Sequence, residues 1–340
     1  MKRILLVSLL LVLSLSSFAQ QNSDEMMNKR MDSIKNAYLD EYALRYPLVR
    51  QAGISVETIA GGKMQSKLNG NDFFDARMQF TRVSGHFNVP IAHIKKFSIS
   101  ASVGMFYQRA NISDVTIHDE RLPVQSMGLD NTTLSASLNI TRVDSLFRRP
   151  VVYSVRVAQL IDPTTGKTRF SGSGVFSMTL KKTENSTFGV GAFILLDPAS
   201  PVPFAPYFSY YHKFKKHKLE FILDPPVRVA LRKELSPNQH LSLFTNLGGS
   251  TVFFQYNNQI LLPKDQIFST LELKSGLLYE QRLTGKMVLG ISTGVSAALD
   301  QKSRARNDFK NEPFMRGSQV PLPYVNVGVT FLPFWTGLSR

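Results

Sequence analysis

From about residue 51 onward, apolar and polar residues alternate one by one. In the stretch 97–107, Phe97, Ile99, Ala101, Val103, Met105 and Tyr107 fall on one face, with Ser98, Ser100, Ser102 and Gly104 on the other. A period of two marks an extended strand, because successive side chains point to opposite faces. The pattern returns with Leu134, Ala136, Leu138 and Ile140 opposed by Ser135, Ser137, Asn139 and Thr141. It returns again with Leu289, Ile291, Val295 and Ala297 against Gly290, Ser292, Gly294 and Ser296, and with Val325, Val327, Val329 and Phe331 against Asn326, Gly328 and Thr330. A soluble β-sandwich also alternates, but its strands average about 5–6 residues and its exposed faces carry dense charge. The 97–107 stretch, with an aromatic ring at each end, fits the roughly 9–11 residues with which a tilted strand crosses a bilayer.

The connections supply a second test. Short polar or basic stretches at 92–96, 144–149, 181–186, 215–218, 236–239 and 284–286 alternate with others at 111–130, 162–168, 197–203, 224–226, 248–265 and 300–321, several of them long and many containing Asp or Pro. Tight turns at one end and longer loops at the other are the rule for membrane barrels. With a first strand near 54–61 and a loop at 63–71, the count closes at fourteen. The weakest link is Asp224-Pro225-Pro226, since 219–223 and 227–231 read equally as one kinked strand, and twelve or sixteen strands are the alternatives. The predicted fold is all-β, a transmembrane antiparallel up-and-down β-barrel preceded by a short N-terminal helix.

Ahead of the strands, Lys2 and Arg3 precede an apolar run from Ile4 to Leu15, and Ser17-Phe18-Ala19 places small residues at the two positions that flank a secretory cleavage site. The run is about a dozen residues, where a membrane helix needs roughly 20. Residues 1–19 therefore read as a cleaved signal peptide. In 24–46, Met27, Met31, Ile34, Tyr38 and Tyr42 recur at spacings of three and four, and Pro47 ends the pattern, which predicts an amphipathic helix. The organisation expected is 1–19 signal peptide, 20–50 helical segment, 51–335 barrel and 336–340 tail. The helix packs on one end of the barrel, plugs it, or binds a partner through 22–46.

Composition changes the picture in three ways. The 24 Phe and 11 Tyr exclude a disordered chain, and zero Cys excludes disulfide scaffolds and thiolate metal sites. Lys and Arg total 40 against 25 Asp and Glu, for a net charge of +15. Export weakens the nucleic-acid explanation of that excess, and no nucleic-acid partner is expected. The hydrophobic share of 43% is spread one residue in two, so no single stretch after the signal looks membrane-bound.

Together the signal sequence, the two-period strands and the aromatic stretch Val325-Asn326-Val327-Gly328-Val329-Thr330-Phe331-Leu332-Pro333-Phe334-Trp335 resemble Gram-negative outer-membrane β-barrel proteins. The resemblance implies outer-membrane lipid and lipopolysaccharide as surroundings and the barrel-assembly machinery as a partner. The chain runs on past Trp335 to Arg340, whereas that class usually ends on an aromatic residue.

Candidate chemistry is sparse. No G-x-S-x-G or H-E-x-x-H motif occurs; His86 and His93 bracket a strand end without carboxylates, His212 and His217 flank a basic turn, and Asp119-Glu120 beside His118 forms no oxygen cage for calcium. His240 and Ser242 share a strand face, the thinnest of hydrolase signals. No enzyme activity, cofactor or metal is expected. Gly61-Gly62 and Gly248-Gly249 read as turn or bulge positions. Strand parity instead sends Asp75, Arg77, Arg156, Arg228, Arg232, Glu272, Lys274 and Glu280 into the barrel, with Phe74, Ala76 and Met78 toward lipid. Such charges form either a solvated passage with a mild anion preference or structural ion pairs across a closed interior. Lys302, Arg304, Arg306, Lys310 and Arg316 fall in the last loop, where anionic headgroups are a natural match. The function expected is a pore or transporter for small solutes. The alternatives are a non-conducting structural or assembly barrel and, less favoured, a membrane-embedded hydrolase.

Overall fold

The computed structural model describes residues 30–31, 33–119, 124–197, 203–224, 228–255, 262–263, 265–305, 313–335 and 338–339. The signal peptide and the start of the predicted helix, Met27 included, lie outside them. Two compact units divide the chain at Arg50.

In the first unit, residues 33–45 form helix α1 and a 3-10 turn follows at Pro47–Val49. Pro47 has no N–H to continue the ladder. The Arg50 guanidinium donates to the carbonyls of Ala43 at 3.1 Å and Leu44 at 3.3 Å, satisfying acceptors that a helix end leaves open.

In the second unit the strands are β1 (Ala52–Leu68), β2 (Asn71–Ile94), β3 (Phe97–Ile117), β4 (Met127–Leu146), β5 (Arg149–Ile161), β6 (Thr168–Lys182), β7 (Ser186–Leu196) and β8 (Phe204–Phe214). They continue with β9 (Leu219–Asp224), β10 (Arg228–Ser236), β11 (Gln239–Gln255), β12 (Asp265–Arg282), β13 (Met287–Ala305), β14 (Met315–Gln319), β15 (Leu322–Phe331) and β16 (Leu338–Ser339). Each strand from β1 to β13 pairs antiparallel with the next, β13 pairs with β15, and β15 returns to β1. β14 lies in line with β15 between the same two neighbours. The two are one strand interrupted near Pro321, which cannot donate to the ladder. The result is a closed up-and-down barrel of fourteen strands. β16 adds a short parallel bridge to Ala92 and His93 of β2.

The short turns fall where the polar and basic stretches place them, and Asp224 and Arg228 end two separate strands rather than one kinked strand. The opposite ends differ from expectation. The predicted loop at 63–71 is only the Asn69-Gly70 turn, with φ of +49° and +89°, the conformation that hairpin turns of this sequence favour. Strands likewise extend into the stretches 111–130, 248–265 and 300–321.

The physical reason is an inversion of polarity along the wall. Near the turns, outward positions are apolar, such as Ile54, Val56, Val103 and Val327, all well exposed. A bulge between Ile59 and Gly62 shifts the parity of β1. Beyond it Lys63, Gln65 and Lys67 face outward while Met64, Ser66 and Leu68 are buried. On β2, Ala76, Met78 and Phe80 share the inward face of Arg82, and Arg77 and Gln79 are exposed outside. On β3, Ala110 and Ile112 are buried between exposed Arg109 and Asn111. Thus Ala76 and Met78 point inward, opposite to their predicted orientation. Gly61-Gly62 is a bulge as predicted, but Gly248-Gly249 lies inside β11, in register with Glu272 and Leu271.

Wall height is uneven. β1 to β4 and β11 to β13 run 17–24 residues, whereas β9 has 6 and β10 has 9. The ring is also pinched: β4 and β11 stand on opposite sides of the pairing order, yet the Thr133 hydroxyl donates to the Thr251 carbonyl at 3.3 Å. At the turn end, the Gln51 side-chain oxygen accepts from the backbone N–H groups of Phe334 (2.7 Å) and Trp335 (2.9 Å), and its amide nitrogen donates to the Trp335 carbonyl. Asp144, beside the Phe147-Arg148 turn, accepts from Lys96, from the Ser145 N–H and from Arg142, and these donors hold its carboxyl well below the usual carboxylate range.

Two outcomes follow from closure and from this turn. With no native Cys, Val56→Cys with Val327→Cys, which face each other across β1 and β15, should form an intramolecular disulfide. Failure to cross-link, while the hairpin pair Val103→Cys with Ala136→Cys succeeds, would contradict a closed ring. Because the folded pKa of Asp144 is lowered, its stabilisation is complete above about pH 4 and fades as pH falls through the folded value. The melting-temperature gap between wild type and Asp144→Asn in detergent should therefore shrink between pH 7 and pH 3, and an unchanged gap would refute it.

Candidate functional site

Period two on β1 sends Glu57 inward because Ile54 and Val56 face outward, and on β2 it does the same for Arg82. Both side chains are buried. Arg82 binds Glu272 of β12 with both guanidinium ends, at 2.6 and 2.8 Å. Its Nε donates to Gln108 of β3 at 2.7 Å, and Nη1 reaches Glu57 at 3.3 Å. Lys274 completes the group, donating to the two Glu57 oxygens at 2.6 and 2.7 Å and lying 3.7 Å from Glu272. Two cations and two carboxylates thus join the neighbours β1 and β2 to β12, which pairs with neither.

Aromatic rings flank the cluster: Phe80 lies 5.1 Å beneath the Arg82 guanidinium and Tyr324 5.7 Å from the Lys274 ammonium. On one side opens a cavity of about 250 Å³, lined with Ser55, Ser84, Phe106, Asn246, Gly248 and Asn326 as well as the charged groups. A Cβ on Gly248 would meet nothing within 4 Å, so this glycine leaves space rather than relieving a clash. Farther from the turns the interior becomes apolar, with Ile59, Met64, Met78, Phe80, Ile112 and Leu322 buried.

A smaller group sits under the low wall. Arg232 donates to Glu220 at 2.8 Å, and the Tyr211 hydroxyl donates to the other Glu220 oxygen at 2.8 Å. Arg232 and Glu220 are directly opposed on β10 and β9, and both are buried.

The structure places Lys274, Glu272, Arg232 and Glu280 inside, the last in register with His240. Arg228 also faces in, opposite Asp224 and Asn246. Arg156 points inward between Asn139 and Ser173 and is exposed there. Arg77 is the correction: it lies outside, because that part of β2 has crossed the point where polarity inverts. Sequence inspection missed Glu57, Arg82 and Glu220, although the parity that found Lys274 would also have found Arg82. His240 and Ser242 are both buried in the interior without a hydrogen bond joining them, and among the described residues no cluster could hold a metal ion.

The cross-lumen pairing has a measurable signature. Arg82→Met leaves two buried carboxylates facing Lys274 alone and should destabilise the barrel by about 3 kcal/mol, the scale for breaking a buried pair. Adding Glu272→Leu should recover much of that loss. Heat-modified gel mobility across temperature reads both, and a double variant no more stable than Arg82→Met would refute the coupling.

No protein-family model matches the chain, and comparison with curated proteins finds no match. Among solved structures it is similar to an outer membrane channel from Pseudomonas putida F1, at 11% identity and TM-score 0.37, covering 83% of this chain and 96% of that one. It is also similar to the toluene transporter TodX of Pseudomonas putida, at 8% identity and TM-score 0.28 over 83% and 88%, and to the outer membrane protease OmpT from Escherichia coli, at 8% identity and TM-score 0.27 over 82% and 96%.

Proposed function

We propose that the chain is an outer-membrane barrel that passes small solutes of low polarity through its side wall rather than ions along its axis. Under this assignment the short turns face the periplasm and the polar-walled extension faces outward. Along the axis, the charged layer joins β1 and β2 to β12, apolar side chains fill the interior above it, and β4 meets β11. Arg82, Glu57, Glu272 and Lys274 neutralise one another and so supply no ring of free charge to select anions, while Arg156 is exposed on the inward face. This favours ion pairs across a closed interior over a solvated basic lumen.

The observation that carries the proposal is the low wall. Six residues in β9 fall short of the roughly 9–11 that cross a bilayer. β10 pairs with β11 only from Asn246 toward the turns, and among the described residues β11 beyond that point pairs with β12 alone. Among the described residues, the wall is lowest at β9 and β10, beside the buried Ile222 and Ala230. A second reading, a non-conducting structural barrel with a periplasmic partner bound through 22–46, draws on the same axial closure.

Two assays separate these. Purified protein in planar bilayers should give no regular conductance steps, and cells expressing it should take up the apolar dye N-phenyl-1-naphthylamine several-fold faster than cells without it. Steady ionic conductance without faster dye uptake would overturn the side route in favour of an axial pore. Absence of both would leave the structural barrel.

A further inference from the structure

The cavity of about 250 Å³ beside the charged layer plays no part in the side route. It would hold several waters, each taking about 30 Å³ in the liquid, or one compact organic molecule. Glycine keeps it open, since a Cβ on Gly248 would find nothing within 4 Å. On the loop side the inward residues Ile59, Phe80 and Leu322 are buried and fill the interior. On the turn side the inward positions are small: Gly104 shares the face of Phe106 on β3, and Gly290 and Ser292 on β13 oppose Gly328 and Asn326 on β15. The way in with the least side-chain bulk is therefore from the turns.

The lining selects the chemistry. Arg82 and Lys274 neutralise Glu57 and Glu272, which leaves no net charge to draw an ion. The other lining groups are neutral, among them the amides of Asn246 and Asn326, the hydroxyls of Ser55 and Ser84, and the ring of Phe106. The side-chain oxygens of Asn246 and Asn326 are buried without a hydrogen-bond partner among the described residues, a state that native interiors rarely tolerate. Rotation about the soft amide torsion exchanges each oxygen for its NH2, so either residue can offer the cavity an acceptor or a donor. A hydroxyl group answers both, because it donates and accepts. Phe106 adds a flat apolar face beside these few orienting polar groups, the usual make-up of a small-molecule site.

We infer that this cavity is a binding site for a neutral polyhydroxylated ring, the size of a monosaccharide or a cyclitol, entered from the turn side. Asn246 on β11 and Asn326 on β15 bind its hydroxyls from two walls, and Phe106 on β3 packs against its C–H face. The charged layer and the apolar side chains beyond it close the loop side, so the site is a dead end that holds its ligand and does not pass it. It is independent of the side route, which runs at β9 and β10.

Full-length protein in lauryldimethylamine oxide, a detergent without a sugar headgroup, tests this by calorimetric titration. The probes are D-glucose, D-galactose and myo-inositol, with acetate and ethylammonium as charged controls. Wild type should bind at least one of the neutral rings at least about tenfold more tightly than either ion, the scale of two hydrogen bonds. Gly248→Leu fills the cavity, and Asn246→Leu with Asn326→Leu removes the amides. Each variant should weaken that binding at least about tenfold and, without ligand, melt no lower than wild type, because neither change breaks a hydrogen bond. Failure of folded wild type to bind any of the three rings would leave the cavity to water and overturn the assignment, as would equal binding by wild type and both variants. Tighter binding of either ion would overturn it in favour of a charged ligand, and a ligand-free double variant melting well below wild type would show that the amides serve the fold.

Discussion

A sheet in hydrocarbon has no water with which to satisfy the N–H and C=O groups of an open edge, so it must close on itself. The pairing of β1 with β15 meets that requirement, from Ala52 opposite Phe331 to Ile59 opposite Tyr324. The other features are arranged around it. β14 continues the closing strand past Pro321, Gln51 ties the segment after Phe331 to the turn end, and the bulge between Ile59 and Gly62 lets β1 exchange its faces without leaving the sheet.

That exchange of faces divides the wall into two regimes. Near the turns the outside is apolar and the inside holds charge, much of it paired: Arg82 with Glu272 and Glu57, Lys274 with Glu57, Arg232 with Glu220. Toward the loops, β1, β2 and β3 carry polar and charged residues outside and Met64, Met78, Phe80, Ala110 and Ile112 inside. Beyond the bulge Met64, Met78, Phe80 and Ile112 are buried inside the ring, and β4 meets β11 at Thr133 and Thr251; the proposed axial closure rests on these contacts.

Much of this was legible in the sequence because membrane strands and tight turns have local signatures. The alternation of β3, β4, β13 and β15 and the six basic or polar turns follow from patterns a few residues long, whereas those patterns leave open one strand or two at 219–231. The misses share one cause. A search for lipid-facing apolar residues ends a strand where polarity inverts, so the extensions of β1 and β3 read as loops, and on β2 the apolar face of Ala76 and Met78 reads as lipid-facing, which places Arg77 inside. Asn69-Gly70 carried the correction, being a hairpin signal too tight for a nine-residue loop. Closure partners such as Arg82 and Glu272 stand 190 residues apart, and the flattening that brings them together is a property of the whole ring, invisible to any local window.

On this architecture the wall crosses a bilayer up to the inversion and leaves it beyond. Single-cysteine variants at outward positions, labelled in intact cells with a membrane-impermeant maleimide, test it most directly. Val56→Cys and Val103→Cys should stay unlabelled, and Gln65→Cys and Gln79→Cys should label readily. Equal labelling at all four positions would contradict the account.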